Sequence, residues 1–144
     1  MIHHAGLIAT RLGERWRGAL IEGPSGSGKS DLALRMLARG YRLVADDRTE
    51  LWTADGRLFG RAPDALAGLI EVRGQGIEPV MALPLAEVVL LVRCGAPERM
   101  PEPQSAELLG ISLPVVTIAA LEASAAAKLS RALARFDGSV NRRM

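Results

Sequence analysis

Eight residues near the start of the chain have the types and spacing that bind phosphate. The segment GPSGSGKS fits the pattern G-x-x-x-x-G-K-[ST], in which backbone N–H groups surround phosphate oxygens, the lysine offsets their charge and the hydroxyl ligates Mg²⁺. Its glycines let the backbone turn the amides inward, and a helix beginning at the lysine directs its positive end to the same point. We therefore predict nucleotide or polyphosphate binding by this loop. Its residues are Gly23, Pro24, Ser25, Gly26, Ser27, Gly28, Lys29 and Ser30.

Two adjacent acids follow the loop at a short distance. Asp46 and Asp47 come directly after the apolar stretch LVA, and Asp46 lies 16 residues beyond Ser30. A carboxylate at the end of a strand beside a phosphate loop can hold Mg²⁺, and a second one can take a proton from an attacking hydroxyl. The two aspartates could divide these roles. Many large P-loop proteins carry the second acidic motif much later, so this spacing indicates a compact and different family.

A third stretch, IEVRGQGI at residues 70–77, adds Glu71 and Arg73. Alternating residues of an extended segment point to the same side, so these two side chains could face one site. Lys29, the loop amides and Mg²⁺ would offset phosphate charge, Arg73 would stabilise the moving phosphoryl group, and Asp46 would orient the incoming hydroxyl. This is the set of groups that a kinase needs. A GTPase would need a water-positioning residue and an N-K-x-D motif, and neither is found in the sequence.

Composition limits the class of protein. The 144 residues are enough for one domain, predicted over residues 1–144, with 49% apolar and 24% charged residues. The longest apolar run, residues 88–92, is too short to span a membrane, and the first residues do not form a secretory signal. The single cysteine, Cys94, cannot form an internal disulfide. We expect a soluble, cytoplasmic protein.

Charge gives no support for nucleic-acid binding. The formal net charge is +2, the basic residues are scattered, and their nearest approach to a block is Arg142-Arg143. Aromatic residues make up only 3% of the chain, which leaves no set of rings to stack on single-stranded bases. We therefore expect no nucleic-acid partner and no membrane partner.

Strand and helix signals alternate along the chain. Two short strands around a polar turn at Gly13 precede the loop, a helix that Gly40 ends follows it, and Asp55-Gly56 marks a later hairpin turn. We expect residues 137–144 to fray. The predicted strands are residues 7–10 and 19–22 and the segments YRLVADD, PLAEVVLLVRC and ISLPVVTI, and the predicted hairpin is ELWTADGRLFGRAP. One predicted helix begins at Ser30, and a second covers about residues 120–135. The segment DALAGLIEVRGQGIEPV is predicted as a short helix running into a loop, and APERMPEPQ as a polar loop.

The segments GPSGSGKSDLALRMLARGYRLVADD and IEVRGQGI together closely resemble the catalytic domain of the HPr kinase/phosphorylase family. These bacterial enzymes phosphorylate and dephosphorylate a serine of HPr, the phosphocarrier of the sugar phosphotransferase system. The resemblance covers residues 2–92 well and the remainder loosely. It implies a Mg²⁺-dependent protein serine kinase that uses ATP, with phosphorolysis as the reverse reaction and control of carbon metabolism as the role.

The resemblance also implies roles for single residues. Asp46 matches the aspartate that acts as base towards the serine hydroxyl and as acid in the reverse reaction, and Arg73 matches the phosphate-site arginine. His4 resembles the histidine beside the transferred phosphate, with His3 as the alternative. The metal set that the resemblance implies is Ser30, Asp47 and Glu71.

Two features differ from the full-length family pattern. By this resemblance we expect the chain to be similar to the short form of some proteobacteria, which lacks the additional N-terminal domain of the full-length enzymes. In addition, LPVVTIAALEAS stands where the family usually has a basic, glycine-containing loop before the last helix. The second difference bears on phosphorolysis and on HPr docking. Lys128 or Arg131 could supply the missing charge, but both fit an ordinary helix surface.

The fold implied by the resemblance is an α/β P-loop kinase domain. Its sheet should be mixed and partly antiparallel, as around the nucleotide site of phosphoenolpyruvate carboxykinase, and full-length relatives form hexamers through this domain.

Two other functions stay open from the residues alone. One is a small-molecule kinase, although the chain offers little room for a substrate lid. The other is a nucleotide-dependent regulatory binding module with little turnover.

Overall fold

A nine-stranded mixed β-sheet organises the computed structural model, which describes residues 1–136. The predicted fraying of residues 137–144, and the Arg142-Arg143 pair, fall outside the described residues. No helix within residues 1–136 is long and apolar enough to cross a membrane. The strands are β1 (Ile2–His3), β2 (Gly6–Leu12), β3 (Arg15–Glu22), β4 (Arg42–Ala45), β5 (Thr49–Ala54), β6 (Arg57–Arg61), β7 (Leu69–Val72), β8 (Gly76–Pro79), β9 (Ala86–Cys94), β10 (Gln104–Leu108) and β11 (Ile111–Ile118), and the α-helices are α1 (Lys29–Leu37) and α2 (Ala125–Arg135).

The sheet runs β1-β5-β6-β9-β3-β2-β4 and branches at β9. One side of β9 pairs with β3, whereas its other side pairs first with β6 and then, further along, with β11. Strands β3 and β11 are both parallel to β9. Because β2 is antiparallel to both β3 and β4, β4 runs in the same direction as well. The carboxyl ends of β3, β4, β9 and β11 therefore meet at one edge of the sheet.

Apolar residues cover both faces of the central strands. In β3, Ala19 and Ile21 join the cluster that packs under the two helices, whereas Leu20 between them joins the cluster on the opposite face. Strand β9 repeats the pattern, with Leu90 on the helix side and Leu91 on the other. Burial of each leucine or isoleucine side chain among these stabilises the fold by roughly 1.5–3 kcal/mol. The continuous apolar runs of these strands are thus explained by burial on two sides.

Most predicted elements are confirmed. The mixed sheet is present, the two strands before the loop form an antiparallel hairpin, and β5 and β6 form the hairpin predicted from Asp55-Gly56. Both turn residues have positive φ, 53° and 72°, as a two-residue hairpin turn requires.

The prediction for residues 64–80 was wrong in part. The predicted helix is only a short 3₁₀ turn, Asp64–Leu66, and the predicted loop is the hairpin of β7 and β8. Its turn contains Gly74, with φ 83°, and Gly76, with φ 107°, begins β8. The glycine-rich sequence favours a loop, because a four-residue strand on either side is too short to show clear alternation.

Two further differences lie near the end of the chain. Strand β10 was not predicted, because its sequence QSAEL is polar; it pairs only with β11 and keeps one face in solvent. Helix α2 begins at Ala125, five residues later than the approximate start predicted at residue 120. Residues 119–124 instead form a turn segment that the side chain of Arg35, on α1, holds through hydrogen bonds to backbone carbonyls.

Candidate active site

The phosphate loop connects the carboxyl end of β3 to α1. Gly26 and Gly28 have φ values of 80° and 95°, a backbone region that side-chain-bearing residues rarely adopt, and Lys29 is the first residue of the helix. The Ser27 N–H donates to the Pro24 carbonyl at 3.1 Å, which closes the loop on itself. The Lys29 ammonium donates to the Gly23 carbonyl at 2.7 Å. A cradle of this shape, followed by a helix N-terminus, fits a polyphosphate.

Three motifs that are far apart in sequence meet at Asp46. The Ser30 hydroxyl of the phosphate loop donates to Asp46 Oδ1 at 2.9 Å, and the backbone N–H of Glu71 donates to Asp46 Oδ2 at 2.8 Å. Asp46 itself follows β4 and is partly buried. We call this set, formed by Ser30, Asp46 and the Glu71 backbone, the inner region of the site. Its carboxylate is held in place by neighbours on both oxygens.

The next carboxylate points elsewhere. Asp47 adopts a left-handed backbone conformation with φ 69°, and its Oδ1 lies 2.9 Å from His4 Nε2 and 4.0 Å from the Lys29 ammonium. Since an ionised carboxylate only accepts hydrogen bonds, the His4 ring is the donor. The side chains of His4 and Asp47 are 67% and 50% exposed. We call this pair, with the Lys29 ammonium beside it, the outer region of the site.

The two histidines, which the sequence left as alternatives, occupy different positions. His4 lies beside Asp47, while His3 Nε2 lies 2.8 Å from the Glu22 carboxylate at the end of β3. Geometry thus places His4 next to the paired aspartates and the loop lysine.

Other predicted site residues lie less close together. Arg73 lies in the turn after β7 rather than on the strand, so the expected alternation with Glu71 does not apply, and both side chains are exposed. Within residues 1–136, neither side chain forms a hydrogen bond or an ion pair with the phosphate loop, and no three His, Cys, Asp or Glu side chains form a metal-holding group. The predicted metal set is therefore separated here: Ser30 contacts Asp46, and Asp47 contacts His4.

A further set of contacts, which was not predicted, lies where β3 leads into the phosphate loop. Glu22, directly before the loop, accepts from the Arg93 guanidinium and from His3, each at 2.8 Å. Burial by itself would raise the pKa of Glu22, but the hydrogen bonds and charges of Arg93 and His3 outweigh it and hold that pKa below its usual range. No local sequence motif predicts the contact between Glu22 and Arg93, because it depends on the pairing of β3 with β9.

Cys94 also lies under the loop. A Cβ atom added to Gly23 would come within 3.0 Å of the Cys94 Cβ and 2.7 Å of the Ser27 hydroxyl, so only glycine fits there. Burial raises the pKa of the Cys94 thiol, against smaller opposing effects of Ser27 and Lys29. The thiol is therefore a protonated packing group beneath the loop at neutral pH.

Comparison with known proteins agrees with this geometry. The family model of the HPr Serine kinase C-terminal domain matches residues 14–89. The HPr kinase/phosphorylase of Clostridium perfringens is 52% identical over 66 residues, which cover 46% of this chain and 22% of that protein. The enzyme of the same name from Streptococcus thermophilus is 51% identical over 67 residues, again 46% of this chain and 22% of the relative. The chain thus matches about a fifth of the length of these curated relatives.

A solved structure extends the likeness to the whole fold. The Hpr(Ser) kinase/phosphatase from Coxiella burnetii superposes with a TM-score of 0.80 at 26% identity, covering 99% of this chain and 93% of that one. The α/β fold with a mixed sheet is therefore shared with a protein of that name. The family model matches more than half of the residues of this chain. The chain therefore belongs to the HPr serine kinase C-terminal domain family.

Proposed function

We propose that this chain is a Mg²⁺-dependent kinase that transfers the γ-phosphoryl group of ATP to a serine of HPr. The observation that carries the proposal is the meeting of three motifs at Asp46: the loop hydroxyl of Ser30 and the backbone of Glu71 both hydrogen-bond its carboxylate. Phosphate binding by the loop, Mg²⁺ binding by Ser30 and proton transfer to Asp46 would then take place close together at the edge of the sheet.

The loop supplies the binding energy for the phosphates. Its amides and the Lys29 ammonium offset the charge of the β- and γ-phosphates, which grows as the phosphoryl group leaves. In the structure Lys29 donates to the Gly23 carbonyl, so its side chain already lies across the loop. Binding of a triphosphate would replace that carbonyl by phosphate oxygens.

Mg²⁺ fits the oxygen donors beside the loop. Ser30 would bind it through its hydroxyl oxygen while still donating to Asp46. The carboxylates of Asp47 and Glu71, which do not contact Ser30 in the structure, would have to turn towards the ion to bind it. When bound, Mg²⁺ would neutralise part of the charge on the phosphate oxygens. The hard oxygen set, without a cysteine or a histidine cluster, suits this ion.

Asp46 would accept the proton of the serine. A carboxylate has about four lone-pair sites, so two hydrogen bonds leave room for an incoming hydroxyl. As the serine oxygen bonds to the γ-phosphorus, the bond to the bridging oxygen breaks, ADP departs and the serine proton passes to Asp46. Arg73 would reach the moving phosphoryl group from its exposed turn, and His4 would hold Asp47 beside Lys29.

HPr is the proposed protein partner. HPr is part of the names of the Clostridium perfringens relative and of the Coxiella burnetii structure, which supports it as the substrate. The arrangement of the site supports phosphoryl transfer as the reaction. We further propose that the chain acts in the cytoplasm and assembles through this domain into the hexamer that the family resemblance implies. Light scattering of the purified chain measures the assembly.

The test is a phosphorylation assay on the protein acceptor. The purified chain is incubated with radiolabelled ATP, Mg²⁺ and HPr from the organism that encodes it, and the labelled residue is located by mass spectrometry. We expect label on one HPr serine and none after that serine is changed to alanine. Absence of label on HPr, despite measurable ATP binding, would contradict the proposal and favour a small-molecule acceptor or a regulatory binding role.

A further inference from the structure

The turn segment at residues 119–124, between β11 and α2, lies beside the phosphate loop. Strands β3 and β11 both run parallel to β9, so the loop that follows β3 and the segment that follows β11 are at the same edge of the sheet. In open α/β sheets, ligands bind in the crevice outside these carboxyl ends. The sequence of the segment, AALEAS, contains no basic residue.

Arg35 fixes this segment to the helix that begins in the loop. Its guanidinium donates to the carbonyl of Ala120 and, at 3.1 Å, to the carbonyl of Glu122, and its Nε donates to Asp31 at 3.0 Å. The planar fork of an arginine suits such a set of acceptors. The residue between the two bonded carbonyls, Leu121, is thereby held at a defined place relative to α1.

Leu121 covers the last glycine of the loop and yet stays open to solvent. Its side chain is 67% exposed, but a Cβ atom added to Gly28 would lie only 2.8 Å from Leu121 Cδ2. A single exposed leucine is ordinary. One that is fixed against a phosphate loop by a neighbouring arginine presents an apolar surface beside the place where a nucleotide's phosphates bind.

We propose that Leu121 forms the apolar wall that contacts the nucleoside base of the bound nucleotide. The inference rests on the proposed function, since it assigns the base end of the same ligand. A base is flat and largely apolar on its faces, and nucleotide pockets are lined mainly by apolar side chains. The nearest polar side chain of the segment, Glu122, lies 3.6 Å from the Lys128 ammonium. The wall therefore contacts the base by packing, with little discrimination between adenine and guanine.

The test compares a ligand that has a base with one that has only phosphates. Binding of ATP and of inorganic tripolyphosphate, each with Mg²⁺, is measured by titration calorimetry for the wild-type chain, Leu121→Ala and Leu85→Ala. Leu85 is a matched control because it is 45% exposed and lies before the start of β9, at the opposite end of that strand. GTP is titrated into the wild-type chain.

We expect Leu121→Ala to weaken ATP binding about tenfold, the size of a lost apolar contact in a pocket, and to leave tripolyphosphate binding unchanged. Leu85→Ala should change neither, and ATP and GTP should bind the wild-type chain with similar affinity. Equal losses of ATP and tripolyphosphate binding in Leu121→Ala would mean that Leu121 only packs against the loop. An unchanged affinity for ATP would mean that Leu121 does not contact the base. Either result would overturn this inference and leave the proposed function standing. A wild-type chain that binds neither ligand would overturn the proposed function together with it.

Discussion

The inner and outer regions of the site use adjacent aspartates in different ways. Asp46 is partly buried and accepts hydrogen bonds on both oxygens, from a loop hydroxyl and from a backbone amide of a distant hairpin. Asp47 has the strained left-handed backbone and an exposed contact with His4. A carboxylate fixed on both sides keeps one orientation, whereas an exposed pair is weak and exchanges with water. Position in the hydrogen-bond network, rather than proximity in sequence, therefore distinguishes the roles proposed for Asp46 and Asp47.

Among the substitutions of Lys29, Ser30, His4 and Glu22, the one at Lys29 should have the largest effect. Its ammonium lies 4.0 Å from Asp47 Oδ1 and donates to the Gly23 carbonyl of the phosphate loop. We expect Lys29→Ala to reduce HPr phosphorylation by roughly 10²–10³-fold, the usual cost of losing one preorganised charge in a transition state. Binding of ATP, followed by calorimetry, should weaken as well. Arg11→Ala is the control, since that arginine is exposed and lies near the turn between β2 and β3, at the other end of β3 from the phosphate loop. A Lys29→Ala chain with normal ATP binding would show that the loop does not hold phosphate.

Ser30 tests the inner region alone. Removal of its hydroxyl takes away the donor to Asp46 Oδ1 and the proposed oxygen ligand of Mg²⁺. We expect Ser30→Ala to lower the phosphorylation rate by roughly 10–100-fold and to raise the Mg²⁺ concentration needed for half of the maximal rate. Ser105→Ala, on the exposed strand β10, should leave both quantities unchanged. An unaltered Mg²⁺ requirement in Ser30→Ala would separate the hydroxyl from the metal.

His4 tests the outer region. A solvent-exposed hydrogen-bonded pair such as His4 and Asp47 contributes at most about 1 kcal/mol, which corresponds to at most roughly a fivefold change in rate. We therefore expect His4→Ala to slow HPr phosphorylation by no more than that factor. His3→Ala should leave the rate unchanged, because His3 contacts Glu22 beneath the loop. A rate that depends on His3 and not on His4 would reverse the assignment of the two histidines.

The smallest expected effect concerns the support beneath the loop. The contacts of Glu22 with Arg93 and His3 hold its folded-state pKa below the ordinary value of a glutamate. They therefore stabilise the fold above that ordinary pKa and lose this effect as the pH falls through the lower folded-state pKa. We expect Glu22→Gln to lower the free energy of unfolding at pH 7 by less than about 1 kcal/mol. Urea titrations should show the difference from wild type shrinking below pH 4.5. A difference that grows on acidification would contradict the assigned contacts.

Much of this fold could be predicted from local patterns. The loop between a strand and a helix, the hairpin at Asp55-Gly56 and the buried strand β9 each have a signal within about a dozen residues, and each is confirmed. The hairpin of β7 and β8 could not be distinguished from a loop because its strands are short, and β10 is too polar to stand out. Both misses are elements whose formation depends on pairing rather than on composition.

The site was predictable as a set of residues but not as a network. The sequence placed Asp46 near Ser30, yet nothing local showed that the backbone of Glu71, rather than its side chain, would reach Asp46. The Glu22 contacts and the Arg35 bonds to residues 120 and 122 depend on which strands neighbour each other at the edge of the sheet. The roles of Asp46, Asp47, His4, Glu71 and Arg73 in catalysis remain predictions.

One measurement tests the division of roles between the aspartates most directly. It is the single-turnover rate of HPr serine phosphorylation by Asp46→Asn and Asp47→Asn, each at saturating ATP and Mg²⁺, with ATP binding measured in parallel. Loss of a general base typically costs 10²–10⁴-fold, so we expect about that decrease for Asp46→Asn with ATP binding retained, and a much smaller one for Asp47→Asn. Equal decreases in the two variants, or a normal rate in Asp46→Asn, would contradict the assignment of Asp46 as the base.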